Sequence, residues 1–145
     1  MTKKGSNKMT KKGSNKATFG PASPVQKVFW DDDDTDLIIF GGGAGGGKSA
    51  MARMKILKYV NCPKFEALFV RATNPQLEQS GGLWPTSVEL YRQFGARFTS
   101  KPKKFKFPSG ATVSMMPCQD DKALANFDGG EYSLILIDEA QNHTF

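Results

Sequence analysis

The sequence predicts an α/β fold, a mainly parallel sheet flanked by helices. Three observations carry this. A glycine-rich loop, residues 41–47, lies between a short apolar run (37–40) and a helical pattern (48–59). A nearly all-apolar run at 65–70 reads as a strand covered on both faces. A further run, Leu134-Ile135-Leu136-Ile137, ends in Asp138-Glu139. Strand, loop, helix, strand is the order of a parallel sheet with crossover connections. Open sheets of this kind bind ligands at the carboxyl ends of their strands, where the glycine loop and the acid pair both fall.

The chain begins with the octapeptide Met-Thr-Lys-Lys-Gly-Ser-Asn-Lys written twice, so residues 1–16 carry six lysines and no acid. This stretch has no apolar content to bury and reads as a disordered tail, with the folded domain spanning 17–145. A basic arm that touches DNA is one reading of it. A slipped duplication, an expression artefact or an alternative start at Met9 are the plainer ones. The formal net charge is +6, but outside the tail 14 cations face 14 acids. The basic character is therefore expected to belong to the tail and not to a binding face of the domain.

Residues 17–30 form a Pro- and aromatic-bearing approach segment. Asp31, Asp32, Asp33 and Asp34 follow, then Thr35-Asp36. A metal-binding carboxylate cluster is the sharper reading of this run. A solvated turn is preferred, because consecutive carboxylates repel and diverge. Residues 37–40 then read as a buried strand. The helix after the loop has Ala50, Met51, Met54 and Leu57 as its apolar stripe, with Arg53, Lys55 and Lys58 elsewhere on the surface. Asn61 and Pro63 end it. Asn74-Pro75 offers a helix N-cap with Pro at the first helical position. Thr86-Ser87-Val88-Glu89 fits a capping box, opening a helix that closes at Gly95. Residues 104–107 and 111–116 flank Pro108-Ser109-Gly110 and read as a β-hairpin. The last strand is 132–137.

Residues 42–49 satisfy the phosphate-loop signature G-x-x-x-x-G-K-[ST]. A flexible glycine linker that happens to end in Lys-Ser is the alternative, but the strand and helix flanks favour the signature. Gly42, Gly43, Ala44, Gly45, Gly46 and Gly47 would curl the backbone so that successive N–H groups meet phosphate oxygens, helped by the helix N-terminus. Lys48 would reach the β- and γ-phosphates of ATP, and Ser49 would hold Mg²⁺. Asp138, ending a strand 90 positions after Lys48, is the second candidate for the metal, and Glu139 is the candidate to polarise an attacking water. Together these motifs describe a phosphate-loop NTPase of the additional-strand, catalytic-glutamate type, with a RecA-like sheet. Cys62 and Cys118 stand far apart beside a single histidine, which excludes a cysteine-rich zinc site and a disulfide scaffold. No apolar run approaches the ~18–20 residues of a membrane span, so a soluble, intracellular protein is expected.

Four segments make the pattern specific: "LIIFGGGAGGGKS" (37–49), "LFVRATNPQLEQSGGLW" (68–84), "KFKFPSGATV" (104–113) and "NFDGGEYSLILIDEAQ" (126–141). In this order they resemble the ATPase domain of large terminase subunits of tailed bacteriophages, from about Ala17 to the end of the chain. The resemblance implies an ATPase that drives double-stranded DNA into a procapsid in the host cytoplasm. It also implies a portal protein and a small terminase subunit as partners, and a homo-oligomeric ring. Gln26, upstream of the loop, becomes the candidate for adenine recognition, since a side-chain amide can pair with both the amino group and a ring nitrogen. Many relatives carry an arginine just before the glycine that precedes the acid-bearing strand; here the region reads Asn126-Phe127-Asp128-Gly129. Arg71 has a structural or DNA-facing role open to it, as well as that of an arginine finger. The chain stops six residues after Glu139, which reads as truncation ahead of a nuclease domain. A helicase-like ATPase and an inactive terminase fragment are the alternatives, the first because Asp138-Glu139-Ala140-Gln141 also resembles a helicase acidic box.

Overall fold

The computed structural model describes residues 20–41, 47–118, 125 and 129–142. The repeated tail (1–16) and Gly42, Gly43, Ala44, Gly45 and Gly46 lie outside the described residues. Five strands, β1 (Glu66–Arg71), β2 (Arg97–Ser100), β3 (Lys103–Lys106), β4 (Thr112–Pro117) and β5 (Leu134–Ile137), form one sheet in the order β2-β3-β4-β1-β5. β1 pairs in parallel with β4 and β5, whereas β3 pairs antiparallel with both β2 and β4. The expectation of a mainly parallel sheet is thus corrected to a mixed one. The cause is connection length: a turn of a few residues can join only antiparallel neighbours, and a parallel pair needs a crossover of a dozen or more. At the β3–β4 turn, Gly110 takes φ +102, and Ser109 Oγ accepts from Ala111 N at 3.1 Å.

Among the described residues four α-helices accompany the sheet, α1 (Pro24–Asp31), α2 (Lys48–Leu57), α3 (Asn74–Glu78) and α4 (Leu83–Arg92), with a short 3-10 turn at Ala140–Asn142. The approach segment therefore contains a helix that sequence pattern overlooked. Ser23 caps it, accepting from Gln26 N at 3.2 Å, and Pro24 is its first residue, the pairing that favours a helix start. α3 is capped by Thr73 and not Asn74. α4 opens at Leu83, three residues before the supposed capping box. Thr86 lies inside it and donates to Gly82 O at 2.6 Å. Gly82 has no space for a side chain, because a Cβ there would lie 2.7 Å from Gln79 O and 2.8 Å from Leu77 O.

The main core lies on one face of the sheet. Ala67, Phe69, Phe105, Val113 and Met115 pack against Ile56 of α2, Leu77 of α3, and Leu83 and Tyr91 of α4. Tyr91 meets the edges of Phe105 and Phe107 at 4.9 and 5.5 Å, and its buried hydroxyl donates to Arg53 O at 3.1 Å. On the opposite face Leu68, Val70 and Cys118 form a smaller cluster with Met116 and Tyr132. β1 is therefore covered on both faces, as its sequence predicts. Residues 37–40 are not the buried strand expected of them. Leu37 and Ile39 are 76% and 88% exposed, and Phe40 stacks on Phe29 with centroids 4.8 Å apart. Among the described residues no neighbouring strand supplies the ladder hydrogen bonds an extended run needs.

α1 is tied to α2 by two lysines. Lys55, 3% exposed, donates to the carbonyls of Phe29 (2.8 Å), Trp30 (3.3 Å) and Asp32. Lys58 adds a bond to Trp30 O at 2.7 Å. These carbonyls end α1, where its dipole is negative and a cation is favoured. The buried face of α2 is accordingly Met51, Lys55 and Ile56, not the purely apolar stripe read from the sequence. The acidic run is likewise more than a solvated turn: Asp33 accepts from Lys58 at 2.8 Å, from Lys55 at 3.2 Å and from the Tyr59 hydroxyl. Lys58, then Tyr59, hold the Asp33 carboxyl well below the usual carboxylate range. Among the described residues no three Asp, Glu, His or Cys side chains gather as a metal site. A carboxyl depressed on folding contributes stability above its unfolded pKa of about 3.9 and loses that contribution as pH falls below it. The parent should therefore exceed Asp33→Asn in stability at pH 7, with the difference shrinking below about pH 4. Denaturant titrations at both pH values check this, and an unchanged difference would count against it.

Candidate functional site

The N-terminus of α2 and the carboxyl ends of β1 and β5 converge. Gly47, the N-cap of α2, is left-handed at φ +69. A Cβ on Gly47 would lie 2.8 Å from Gln26 Nε2, the end of a side chain that can yield, so it is the left-handed torsion that favours glycine there. The same contact places Gln26, 9% exposed, against the start of α2, with its Oε1 accepting from Ala22 N at 2.7 Å. Lys48 and Ser49 form the first turn of α2, both partly buried.

β5 is hydrogen-bonded to β1 through Val70↔Ile137, and Asp138 N continues the ladder to Val70 O at 2.9 Å. That register brings Asp138 beside Arg71. Ser49 Oγ donates to Asp138 Oδ2 at 2.8 Å, joining residues 89 positions apart. Asp138 is buried and Glu139 is one-third exposed. Arg71 Nη2 bonds Glu139 Oε1 at 2.5 Å, its Nε lies 3.6 Å from Asp138 Oδ2, and its Nη1 donates to Gln76 O at 3.1 Å. Two adjacent carboxylates in a partly buried place repel, and one guanidinium spanning both offsets that repulsion. Glu139 itself stands at φ +55, a left-handed backbone that a non-glycine residue adopts at a cost of roughly 1–2 kcal/mol.

Arg53 stands one turn beyond Ser49 on α2 and bonds the Thr86 hydroxyl. Burial pushes its guanidinium below the usual range, opposed by Tyr91 and Asp138, while Arg71 adds to the depression. Arg71 thus spans the acid pair, and Arg53 feels Asp138 only through space. Sequence reasoning put Arg53 on the surface and left Arg71 open. The i, i+4 spacing from Ser49 was the available signal for Arg53, because it sets both on one helix face. The structure brings together Gln26 with Gly47, and Ser49 with Asp138, while Arg71 bridges Asp138 and Glu139.

This is an α/β domain in which the Lys-Ser start of a helix faces a strand-end acid pair. The chain belongs to the family described as terminase large subunit, T4likevirus-type, N-terminal, which matches residues 39–145. That membership ties it to phage DNA packaging. No curated protein and no solved structure matches the chain. Among the described residues no helix is long and apolar enough to cross a membrane.

The Arg71–Glu139 pair should be energetically coupled. Arg71→Ala leaves the largely buried Asp138 without its cation and should cost about 3 kcal/mol. Combined with Glu139→Gln, the loss should fall short of the sum of the single losses by roughly 0.5–3 kcal/mol. A double-mutant cycle in denaturant measures it, and strict additivity would mean that the pair does not interact in solution.

Proposed function

We propose that this chain binds and hydrolyses ATP as the motor part of a DNA-packaging terminase. The observation that carries the reading is the 2.8 Å bond from Ser49 to Asp138, which connects the end of the phosphate-loop signature to the acid pair. In this reading Gly42, Gly43, Ala44, Gly45, Gly46 and Gly47 present backbone N–H groups to the phosphates, and Lys48 neutralises the β- and γ-phosphate charge. Gln26 recognises adenine from its seat beside Gly47, its amide N–H₂ on the loop side.

The residues present fit Mg²⁺. Ser49 Oγ and Asp138 Oδ2 are both hard oxygen donors, and their 2.8 Å separation is close to the roughly 2.9 Å between adjacent oxygens around an octahedral Mg²⁺. When bound, the ion would neutralise charge on the phosphate oxygens. Glu139 takes the proton of a water as that water attacks the γ-phosphorus and the bond to the β-phosphate oxygen breaks. Arg71 fixes the direction of that carboxylate and offsets its repulsion with Asp138. Family membership favours packaging over a helicase-like role. With it come the proposed partners: double-stranded DNA, a portal protein, a small terminase subunit and further copies of the chain in a ring, in the host cytoplasm.

Calorimetry with Mg²⁺ and ATP tests the site. The parent should bind, and Lys48→Ala should abolish binding by removing the phosphate-facing charge. Equal affinity in that variant would overturn the assignment. Glu139→Gln should keep ATP binding and lose at least about 100-fold in single-turnover hydrolysis, because an amide cannot take the proton. Hydrolysis at the parental rate would remove Glu139 from the chemistry.

A further inference from the structure

The even charge balance outside the tail conceals a segregation. Residues 97–106 hold five cations, Arg97, Lys101, Lys103, Lys104 and Lys106, and no acid. The ladder register sorts them between the two faces of the sheet. Phe98↔Phe105↔Val113 forms a row on the core face, where Trp84 packs on Phe98 and Phe105. Lys103, two residues before Phe105 and so on that same face, is paired with Glu78 at 2.5 Å. The neighbouring rows point the other way. One runs Arg97, Lys106, Thr112, Glu66; the next runs Thr99, Lys104, Ser114, Leu68. α2, α3 and α4 pack on the Phe105 face, so none of them covers these rows. Arg97, Lys104 and Lys106 make no ion pair among the described residues. Glu66 is the one acid in the two rows, separated from Lys106 by a strand and so about 9.5 Å away by strand spacing.

We propose that this outer face of β2, β3 and β4 is a docking surface for the phosphate backbone of double-stranded DNA. Lys106 stands about 5–7 Å from both Arg97 and Lys104 by the strand spacing and the pleat, and with the hydroxyls of Thr112 and Ser114 beside them these side chains match the donors that contact phosphate and sugar. The two rows contain no aromatic side chain, whereas surfaces for single strands interleave aromatics on which bases stack. The rows lie level with the amino-terminal half of β1, whereas the acid pair adjoins its carboxyl end, so DNA on this face does not occupy the nucleotide site. The proposal rests on the packaging role above but not on the assignment of the nucleotide site.

The test measures binding of the full chain to a blunt 20-base-pair duplex between 50 and 200 mM salt, by fluorescence anisotropy. Each phosphate contact contributes about 0.9 to the slope of log K against log salt. The triple variant Arg97→Gln, Lys104→Gln, Lys106→Gln should lower the slope by about 2.7 and weaken binding at least 100-fold at 0.1 M salt. The same decrement should appear when the six tail lysines are serine, which separates the face from the tail. The charge-keeping variant Arg97→Lys, Lys104→Arg, Lys106→Arg should retain the parental slope. Unchanged Mg²⁺–ATP affinity in the Gln variant establishes an intact sheet; if that affinity falls, the charge-keeping variant decides, retention of slope supporting the proposal and its loss overturning it. A parental slope in the Gln variant overturns it. So does polyglutamate of equal charge competing as well as duplex, which would make the partner an acidic polypeptide. Absence of DNA binding with ATP binding intact sinks this surface alone. Absence of ATP binding with face-dependent DNA binding sinks the nucleotide reading alone.

Discussion

The parallel pairing of β5 with β1 is the constraint on which the rest of the site depends. Parallel neighbours share a direction, so the residues that follow them emerge at the same end of the sheet. With Val70 opposite Ile137, Arg71 and Asp138 leave the ladder side by side, and Glu139 is the next residue out. A slip of one residue would turn the acid pair to the opposite faces and break both the Arg71 bridge and the Ser49 bond. What holds the register is burial: Leu68 and Val70 on one face and Ala67 and Phe69 on the other are all nearly inaccessible, so β1 has no alternative set of side chains to expose.

A second dependence runs through the two lysines of α2. A buried ammonium needs several acceptors, and Lys55 finds them in the unsatisfied carbonyls that end α1. In satisfying each other, the two groups fix where α1 lies. Gln26 reaches Gly47 because the far end of its helix is fastened in this way. The acidic run contributes by charge, with Asp33 bridging Lys55, Lys58 and Tyr59.

Much of this was legible in the sequence, and the exceptions have physical reasons. β1, the β3–β4 hairpin and β5 were readable because their apolar residues have no other use. The meeting of Ser49 with Asp138 was legible because each follows or opens an element that a parallel sheet brings to one end. β2 was not, since all four of its residues are exposed and it exists only through pairing with β3. Residues 37–40 misled because apolar composition predicts a strand only where a neighbour supplies the ladder. Lys55 misled in the opposite sense, since its burial depends on carbonyls two dozen residues away. Arg71 had to await the strand register, which composition does not encode, whereas the spacing of Arg53 from Ser49 was in the sequence and went unread.

The left-handed backbone at Glu139 sets backbone strain against side-chain pairing at a single position. Glycine would adopt φ +55 without penalty, and asparagine nearly so, whereas glutamate does so only because Arg71 grips its carboxylate. The ion pair with Arg71 thus works against the backbone strain at this corner. Replacing Glu139 with glycine would remove the strain and the ion pair together, so the side chain, and not the backbone it sits on, is what ties this corner to β1.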